Sequence, residues 1–178
     1  MSPATEIAFE TDQEYEFVDG HWEAKEMGSA KHGGVSTRLI IRLGGYVEAN
    51  QLGGVYGPDT TFQIGQNERL PDVSFISAAR IPEEGETDEK WPVAPDLAIE
   101  VISVNDVWSK VRRKLREYFA AGVQQVWLIS PEERQVEIYD SPTQISVLTE
   151  NDDLTNEKLL PGFHCRVSEL FQQPARQQ

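Results

Sequence analysis

Two stretches of almost continuous apolar residues predict strands that are buried on both faces of a sheet. The first covers 95–103 and the second 123–129. Between them, apolar residues recur at helical spacing from Val107 to Phe119, and Gly122 follows where a helix would be expected to end. A helix between two buried strands is the usual crossover between parallel neighbours. We therefore expect these two strands to be parallel in one sheet.

The N-terminal part of the chain has weaker patterns, which predict a hairpin followed by a helix. Asp19-Gly20 lies between the β-prone runs 15–18 and 21–24, which predicts a hairpin because both central residues of a type I′ turn need positive φ. An amphipathic helical stripe begins after Ser29 and runs to Val47. Gly44-Gly45 lies within this stripe and weakens the prediction near its end.

Short β-prone segments and turns account for most of the remaining chain. The predicted strands are 55–56, 60–64, 70–76, an edge strand at 136–139, and 145–148. The acidic, proline-flanked stretch 79–92 predicts an exposed loop. This order predicts the α/β (α+β) class: a mixed central sheet flanked by helices, with an N-terminal hairpin and a C-terminal β-meander.

Length and composition are those of one globular domain. We place this domain at 13–172, with polar tails at 1–12 and 173–178; the chain has 178 residues, of which 39% are hydrophobic. No apolar run reaches 18 residues, and the start of the chain lacks the pattern of a secretory signal. We therefore expect a cytoplasmic protein that does not enter a membrane.

The net charge of −14 argues against a protein that coats nucleic acid non-specifically, because such binding depends on Lys and Arg neutralising phosphates. The charge is unevenly distributed, however. Five acids lie between Pro82 and Trp91, whereas the predicted second helix carries a compact basic cluster made of Lys110, Arg112, Arg113, Lys114 and Arg116. The local field at this helix can therefore differ from the field expected from the net charge.

One acid is unexpected, because Glu100 lies in the middle of a strand that should be buried. A buried carboxylate is costly unless it is paired, hydrogen-bonded or bound to a metal. Asp72 lies on another predicted strand, and two carboxylates that meet on neighbouring strands suit Mg²⁺. The alternative is that both acids face solvent. Asp96 shares a strand face with Glu100 but would lie about 13 Å away, too far to share an ion.

A lysine could complete such a site. Lys114 borders the buried stripe of the second predicted helix, so its ammonium could extend over the sheet towards the carboxylates. There it could stabilise negative charge on phosphorus or help to orient or deprotonate water. The alternative is a surface lysine whose stem packs on the helix. Lys110, one turn earlier, is the other candidate for the same role.

Several short motifs, in order along most of the chain, resemble the Uma2 family, which has the PD-(D/E)XK restriction-endonuclease-like fold. They are YEFVDG (15–20), HG (32–33), LPDVSFI (70–76), PDLAIEVIS (95–103), KLREYFAAGV (114–123) and VWLI (126–129). The resemblance implies that Asp72 and Glu100 are the paired metal-binding acids. The usual lysine two residues after the second acid is absent, because that position is Ile102. Lys114 fits the position at which Uma2-like sequences place a lysine on the following helix.

The resemblance also indicates two further residues and a function. Glu16 is a candidate third carboxylate and His32 a candidate contact to phosphate or metal-bound water; the alternatives are an exposed hairpin acid and a capping or surface histidine. The implied function is hydrolysis of DNA by a Mg²⁺- or Mn²⁺-dependent endonuclease. The alternative is a nuclease-fold binding or regulatory module, dimeric and without turnover, which the net charge and Ile102 favour. We expect a homodimer in either case.

Overall fold

A computed structural model describes residues 13–26 and 28–175 of the chain. The predicted tail at 1–12 and residues 176–178 of the second tail lie outside these ranges, and the domain limits remain a prediction. The helices are α1 (Ala30–Ala49), α2 (Trp108–Ala120) and α3 (Val167–Leu170), and a short 3-10 turn covers Ala78–Arg80. The strands are β1 (Tyr15–Val18), β2 (His21–Ala24), β3 (Gly53–Tyr56), β4 (Phe62–Ile64), β5 (Asn67–Arg69), β6 (Val73–Ser77), β7 (Leu97–Val101), β8 (Gln125–Ser130), β9 (Gln135–Ser141), β10 (Gln144–Thr149), β11 (Asp153–Asn156) and β12 (Leu160–Arg166).

The central sheet has six strands in the order β10-β9-β8-β7-β6-β3. The strands β7 and β8 are parallel, and α2 connects them, as the two apolar runs predicted. All other neighbours in this sheet are antiparallel, so the sheet is mixed. The predicted fold class is confirmed.

The two long helices cover opposite faces of this sheet. Apolar side chains of α1, including Leu39 and Leu43, pack in one core cluster with Phe75 and Ile99. Leu115 and Tyr118 of α2 pack in a second cluster with Ala98, Val126 and Leu128. Because side chains alternate along a strand, Glu100 belongs to the same face as Ala98 and is directed towards α2.

The N-terminal hairpin forms as predicted and belongs to a second sheet. Asp19 and Gly20 have φ values of 50° and 86°, which the turn between β1 and β2 requires. This sheet has the order β2-β1-β5-β4. The strand β5 lies where a turn and the link to the next predicted strand were expected. The segment Asn-Glu-Arg has no β-prone residue, and its pairing depends on the neighbouring strands β1 and β4.

Three other local predictions differ from the structure. The strand β9 was predicted at an edge but lies inside the sheet, because β10 pairs along its other side. A two-stranded sheet of β11 and β12 was not predicted at all. Trp91 lies in the otherwise largely exposed acidic loop but is buried and pairs with Phe62 through a single β-bridge. None of the helices in the described ranges has the length and apolar character required to cross a membrane.

Candidate active site

Asp72 and Glu100 come together because their strands are antiparallel neighbours. Val73 of β6 pairs with Ile99 of β7, and continuing this register by one residue places Asp72 opposite Glu100. Both residues are buried, with only 3% and 8% of their surfaces exposed. The Oδ2 atom of Asp72 also accepts a hydrogen bond of 2.8 Å from the backbone N–H of Val101. The two acids thus lie beside each other, instead of facing solvent separately.

Lys114 is the lysine that reaches these acids. Its Nζ atom lies 2.9 Å from Oε1 of Glu100 and 3.0 Å from Oε1 of Glu16. One helical turn later, the Tyr118 hydroxyl donates a 2.6 Å hydrogen bond to the same Oε1 of Glu100. Lys110 lines the same cavity but forms no ion pair among the described residues. The helical stripe that predicted α2 therefore also places Lys114 and Tyr118 over Glu100.

Glu16 is held by β1 in a buried ionic network. Its Oε2 atom accepts a 2.8 Å hydrogen bond from Arg69, and its Oε1 atom accepts one of 3.0 Å from the backbone N–H of Leu70. Arg69 in turn donates a 2.8 Å hydrogen bond to Glu117 of α2. Burial alone would raise the pKa of Glu16, but Lys114, Arg69 and the Leu70 N–H together lower it to about 2. Glu16 is therefore ionised and directed at Lys114.

Asp72 has two further basic neighbours. The Nε2 atom of His32, in the first turn of α1, lies 3.1 Å from Oδ2. The Nζ atom of Lys25, directly after β2, lies 3.3 Å from Oδ1. Burial acts to raise the pKa of Asp72, but His32, Lys25 and the Val101 N–H lower it to about 2. The hydrogen bond to Asp72 raises the pKa of His32 in spite of its partial burial.

The charges of the Lys114 and Glu100 pair follow from their surroundings. Burial raises the pKa of Glu100, and the nearby carboxylates of Asp72 and Glu16 raise it further, although Lys114 acts in the opposite direction. Burial disfavours the ammonium of Lys114, yet Glu100, Glu16 and Asp72 together raise its pKa. The raised pKa favours the ammonium form of Lys114, which is the form that can stabilise negative charge.

All five predicted site residues line one cavity of about 250 Å³, together with Lys25. Three groups of the site were not predicted from the sequence. They are Lys25, the Tyr118 hydroxyl and the Arg69 guanidinium, which binds Glu16 and Glu117. Tyr118 could have been identified, since it lies one turn from Lys114 on the predicted helix. Lys25 and Arg69 carried no such signal, because their contacts depend on the packing of the N-terminal sheet against α1 and α2.

The carboxylate oxygens of Asp72 and Glu100 suit a hard divalent cation. Two adjacent carboxylates are the protein ligands that Mg²⁺ commonly uses alongside water and substrate phosphate. Lys114 and Tyr118 both bind Oε1 of Glu100. No group of three or more His, Cys, Asp or Glu side chains in metal-binding geometry occurs in ranges 13–26 and 28–175. Any ion here would thus have few protein ligands.

Asp96 has a different role, as its distance along β7 predicted. It is fully buried and accepts a 2.8 Å hydrogen bond from the Ser77 N–H, one of 3.0 Å from Arg80 and one of 2.6 Å from Gln124. These donors tie the beginning of β7 to the end of β6 and to the residue before β8. Asp96 therefore holds strand ends together, away from the Asp72 and Glu100 pair.

Replacement of Glu16 by glutamine is expected to change how the free energy of unfolding depends on pH. The pKa of Glu16 is about 2 in the fold and near 4.5 in the unfolded chain, so its stabilisation is present above pH 4.5 and is lost as the pH falls towards 2. This difference corresponds to roughly 3 kcal/mol. In urea unfolding at pH 7, we expect Glu16→Gln to have a lower free energy of unfolding than the wild type. This difference in free energy should be much smaller at pH 2.5. The exposed control Glu133→Gln should have the same free energy of unfolding as the wild type. If Glu16→Gln were destabilised equally at both pH values, the prediction would be contradicted.

The comparisons with known proteins concern the family and the fold of the chain. A family model described as "Uma2: Putative restriction endonuclease" matches residues 3–168. None of the curated proteins gives a significant match. A solved structure, that of "a putative nuclease belonging to DUF820 from Anabaena variabilis ATCC 29413", has a TM-score of 0.79 and 24% identity, over 88% of this chain and 89% of that chain. At this identity, the likeness shows a common fold. Because the family model spans nearly the whole sequence, the chain belongs to the Uma2 family.

Proposed function

We propose that this protein is a divalent-metal-dependent endonuclease that hydrolyses phosphodiester bonds in DNA. The observation that carries the proposal is the set of Asp72, Glu100 and Lys114 on the wall of one cavity, with the Lys114 ammonium 2.9 Å from Glu100. The description of the Uma2 family as a restriction endonuclease family supports the same reaction class. Mg²⁺ or Mn²⁺ is the proposed cofactor, because the available ligands are carboxylate oxygens.

Asp72 and Glu100 would hold the metal ion, which when bound supplies Lewis-acid chemistry and an activated water. The chain's own residues supply the rest. Lys114 stays charged and is placed to stabilise the negative charge that develops on the phosphate. Glu16 orients Lys114 through their 3.0 Å contact, and His32 orients Asp72 through their 3.1 Å contact. Glu16 and His32 are thus proposed as positioning residues.

A second candidate function is a nuclease-fold binding or regulatory module without turnover. It is favoured by the ammonium groups of Lys25 and Lys114, which already neutralise Asp72 and Glu100. A metal ion would have to bind in the presence of both cations. The two functions differ in one measurable property, since only the endonuclease requires an ion at Asp72 and Glu100 to cleave.

The direct test is nicking of supercoiled plasmid by the purified protein with Mg²⁺, with Mn²⁺ and with EDTA. The expected result is conversion to the open circular form with either metal and none with EDTA. Calorimetric titration with Mn²⁺ should show binding that Asp72→Asn removes. A wild-type protein that neither nicks a broad panel of DNA nor binds metal would contradict the proposal. Metal binding without nicking would favour the module.

The proposal includes a homodimer located in the cytoplasm. Two-fold dimers are the commonest protein oligomers, and two copies of this chain would provide two active sites. Light scattering of the purified protein tests the assembly, with about twice the 20.1 kDa mass expected. A mass equal to that of one chain would remove this part of the proposal only.

A further inference from the structure

Three cations on α2 have no acidic partner within the described ranges. Most other Lys and Arg side chains there form an ion pair, such as Arg42 with Glu169 and Arg166 with Asp153. Lys110, Arg112 and Arg116 do not, although the chain contains 30 acids against 16 Lys and Arg residues. In so acidic a protein, three unpaired cations on one helix produce a local positive field, and such a field attracts an anionic partner.

Arg112 and Arg116 face a groove between α2 and the β9–β10 hairpin. This groove has a volume of about 800 Å³, and its other walls include Trp108, Tyr139 and Ile145. Glu137 is the one acid that lines it, and it already accepts a 2.7 Å hydrogen bond from Tyr139. The groove therefore carries a net positive charge, in contrast to the chain as a whole.

Trp108 adds an aromatic surface to this positive groove. Its helical position predicted burial with the apolar stripe of α2, but 48% of its surface is exposed. Ile145 and Val147 on the facing strand are exposed to a similar extent, 48% and 54%. An exposed indole beside two guanidinium groups has the chemistry of a single-strand nucleic-acid site, where bases stack on aromatic rings and phosphates contact arginines.

The groove is next to the proposed active site. Leu115 lines both cavities, so they lie on two sides of the same helix, and Lys110 lines the active-site cavity. A helix is about 10 Å across, so a strand that crosses α2 would need roughly three to four nucleotides between the two cavities. A strand bound in the groove could thus continue over Lys110 towards Lys114 and Glu100.

We propose that the α2 groove binds an unpaired DNA strand, with phosphates on Arg112 and Arg116 and a base stacked on Trp108, and so delivers the strand to the neighbouring active site. The inference rests on the proposed function and adds to it a substrate preference, for DNA that contains a single-stranded segment. A second copy of this chain is the competing occupant, since β10 is the edge strand of the central sheet and has no charged residue. In a two-fold dimer across β10 the positive groove would face the same positive groove of the second copy, so the unpaired arginines favour the DNA polyanion.

The test is fluorescence anisotropy with a labelled single-stranded 20-mer and with a hairpin duplex, in EDTA so that no cleavage occurs. The full chain carrying Glu100→Gln is compared with the same chain carrying in addition Arg112→Gln and Arg116→Gln. Loss of two phosphate contacts is expected to weaken single-strand binding at least tenfold and to reduce the slope of log K against log salt by about 1.4. The matched control is Lys31→Gln with Arg166→Gln, which removes the same charge from paired, exposed cations elsewhere.

Trp108→Ala provides the independent measurement. Loss of one stacked base is expected to weaken single-strand binding by about 5- to 100-fold, with a smaller effect on the duplex. Equal effects of the arginine variant and its control would overturn the inference, as would no detectable binding of either DNA. Light scattering on the same samples supplies the remaining outcome: a dimer that Trp108→Ala converts to monomer with unchanged DNA affinity would assign the groove to a second copy.

Failure of this inference and failure of the proposed function can be told apart. If the wild type nicks plasmid but the groove variants bind and cleave normally, the inference fails and the proposed function stands. If the wild type never cleaves but the groove variants lose DNA binding, the proposed function fails, the groove is still a DNA-binding site, and the delivery step is overturned.

Discussion

Replacement of Glu100 by glutamine is expected to abolish metal-dependent nicking while the protein remains folded. Glutamine has the same shape, and its amide oxygen can still accept the hydrogen bond from Tyr118. It cannot supply a charged ligand, however. Loss of groups that only orient a metal ligand costs about 10- to 100-fold, so loss of the ligand itself should exceed about 100-fold. Nicking rates at saturating Mn²⁺, with calorimetric titration of the metal, measure the effect.

Stability gives the control for this variant. Burial raises the pKa of Glu100, and a carboxylate whose pKa is raised by folding destabilises the fold at pH values above it. Removing its charge relieves this cost but takes one of two carboxylates away from Lys114, which Glu16 still pairs, so the free energy of unfolding at pH 7 should fall by less than it does in Lys114→Met. Glu133→Gln, in the exposed turn after β8, should keep full activity. A Glu100→Gln protein that nicks at the wild-type rate would show that the cleavage does not depend on this carboxylate.

Replacement of Lys114 by methionine is expected to produce the largest loss of stability of any variant considered. Methionine keeps most of the apolar stem but leaves Glu100 and Glu16 facing each other without their shared cation. Removing one partner of a buried ion pair costs about 3–5 kcal/mol, because the remaining charge is desolvated and unpaired. Urea unfolding at pH 7.5 measures the loss, and Lys110→Met, which breaks no ion pair, should stay within about 0.5 kcal/mol of the wild type.

The pH dependence and a double variant identify the cause of this loss. Without the ammonium, both carboxylates become harder to ionise, so the loss should be largest at neutral pH and smaller at pH 4, where they can be protonated. Adding Glu100→Gln to Lys114→Met should restore part of the stability, since one of the two facing charges is removed. If the double variant were no more stable than Lys114→Met, the cost would lie in packing and not in charge.

The same two lysine variants separate a catalytic from a structural role. Lys114→Met is expected to lower nicking about 100-fold or more at a temperature where it is folded, because an ammonium placed at the phosphate is lost. Lys110→Met should change the rate of nicking much less. If Lys110→Met had the larger effect on nicking, the catalytic role proposed for Lys114 would pass to Lys110.

The paired acids were predictable because their signal is local. Glu100 interrupts an apolar strand. Asp72 directly follows a proline at the start of a second β-prone run, so both acids stand out against their neighbours. The helix after Glu100 has a clear apolar stripe, which puts Lys114 and Tyr118 on the side that faces the sheet. Trp108 was assigned to that stripe by its spacing, but it is about half exposed, on the wall of the groove between α2 and the β9–β10 hairpin.

Pairing between distant segments was the least predictable feature. The strand β5 has no strand-like composition, yet it pairs with β1 and β4 and so brings Arg69 to Glu16. The inner position of β9 depends on β10 pairing along its free edge. Hydrogen bonds between strands are made by the backbone, so side-chain patterns carry little information about which edge is used.

The sequence by itself determined that β7 and β8 are buried, which face of α2 meets the sheet, and that Glu100 needs a partner, whether a cation, a hydrogen-bond donor or a metal. Each of these follows from the period of the apolar residues, which is set within one helix or strand. Only the tertiary structure decided which cation each acid receives: Lys114 for Glu100 and Glu16, and Lys25 with His32 for Asp72. These partners come from separate elements, and the Coulomb energy that selects them depends on distances that only the packing of those elements establishes.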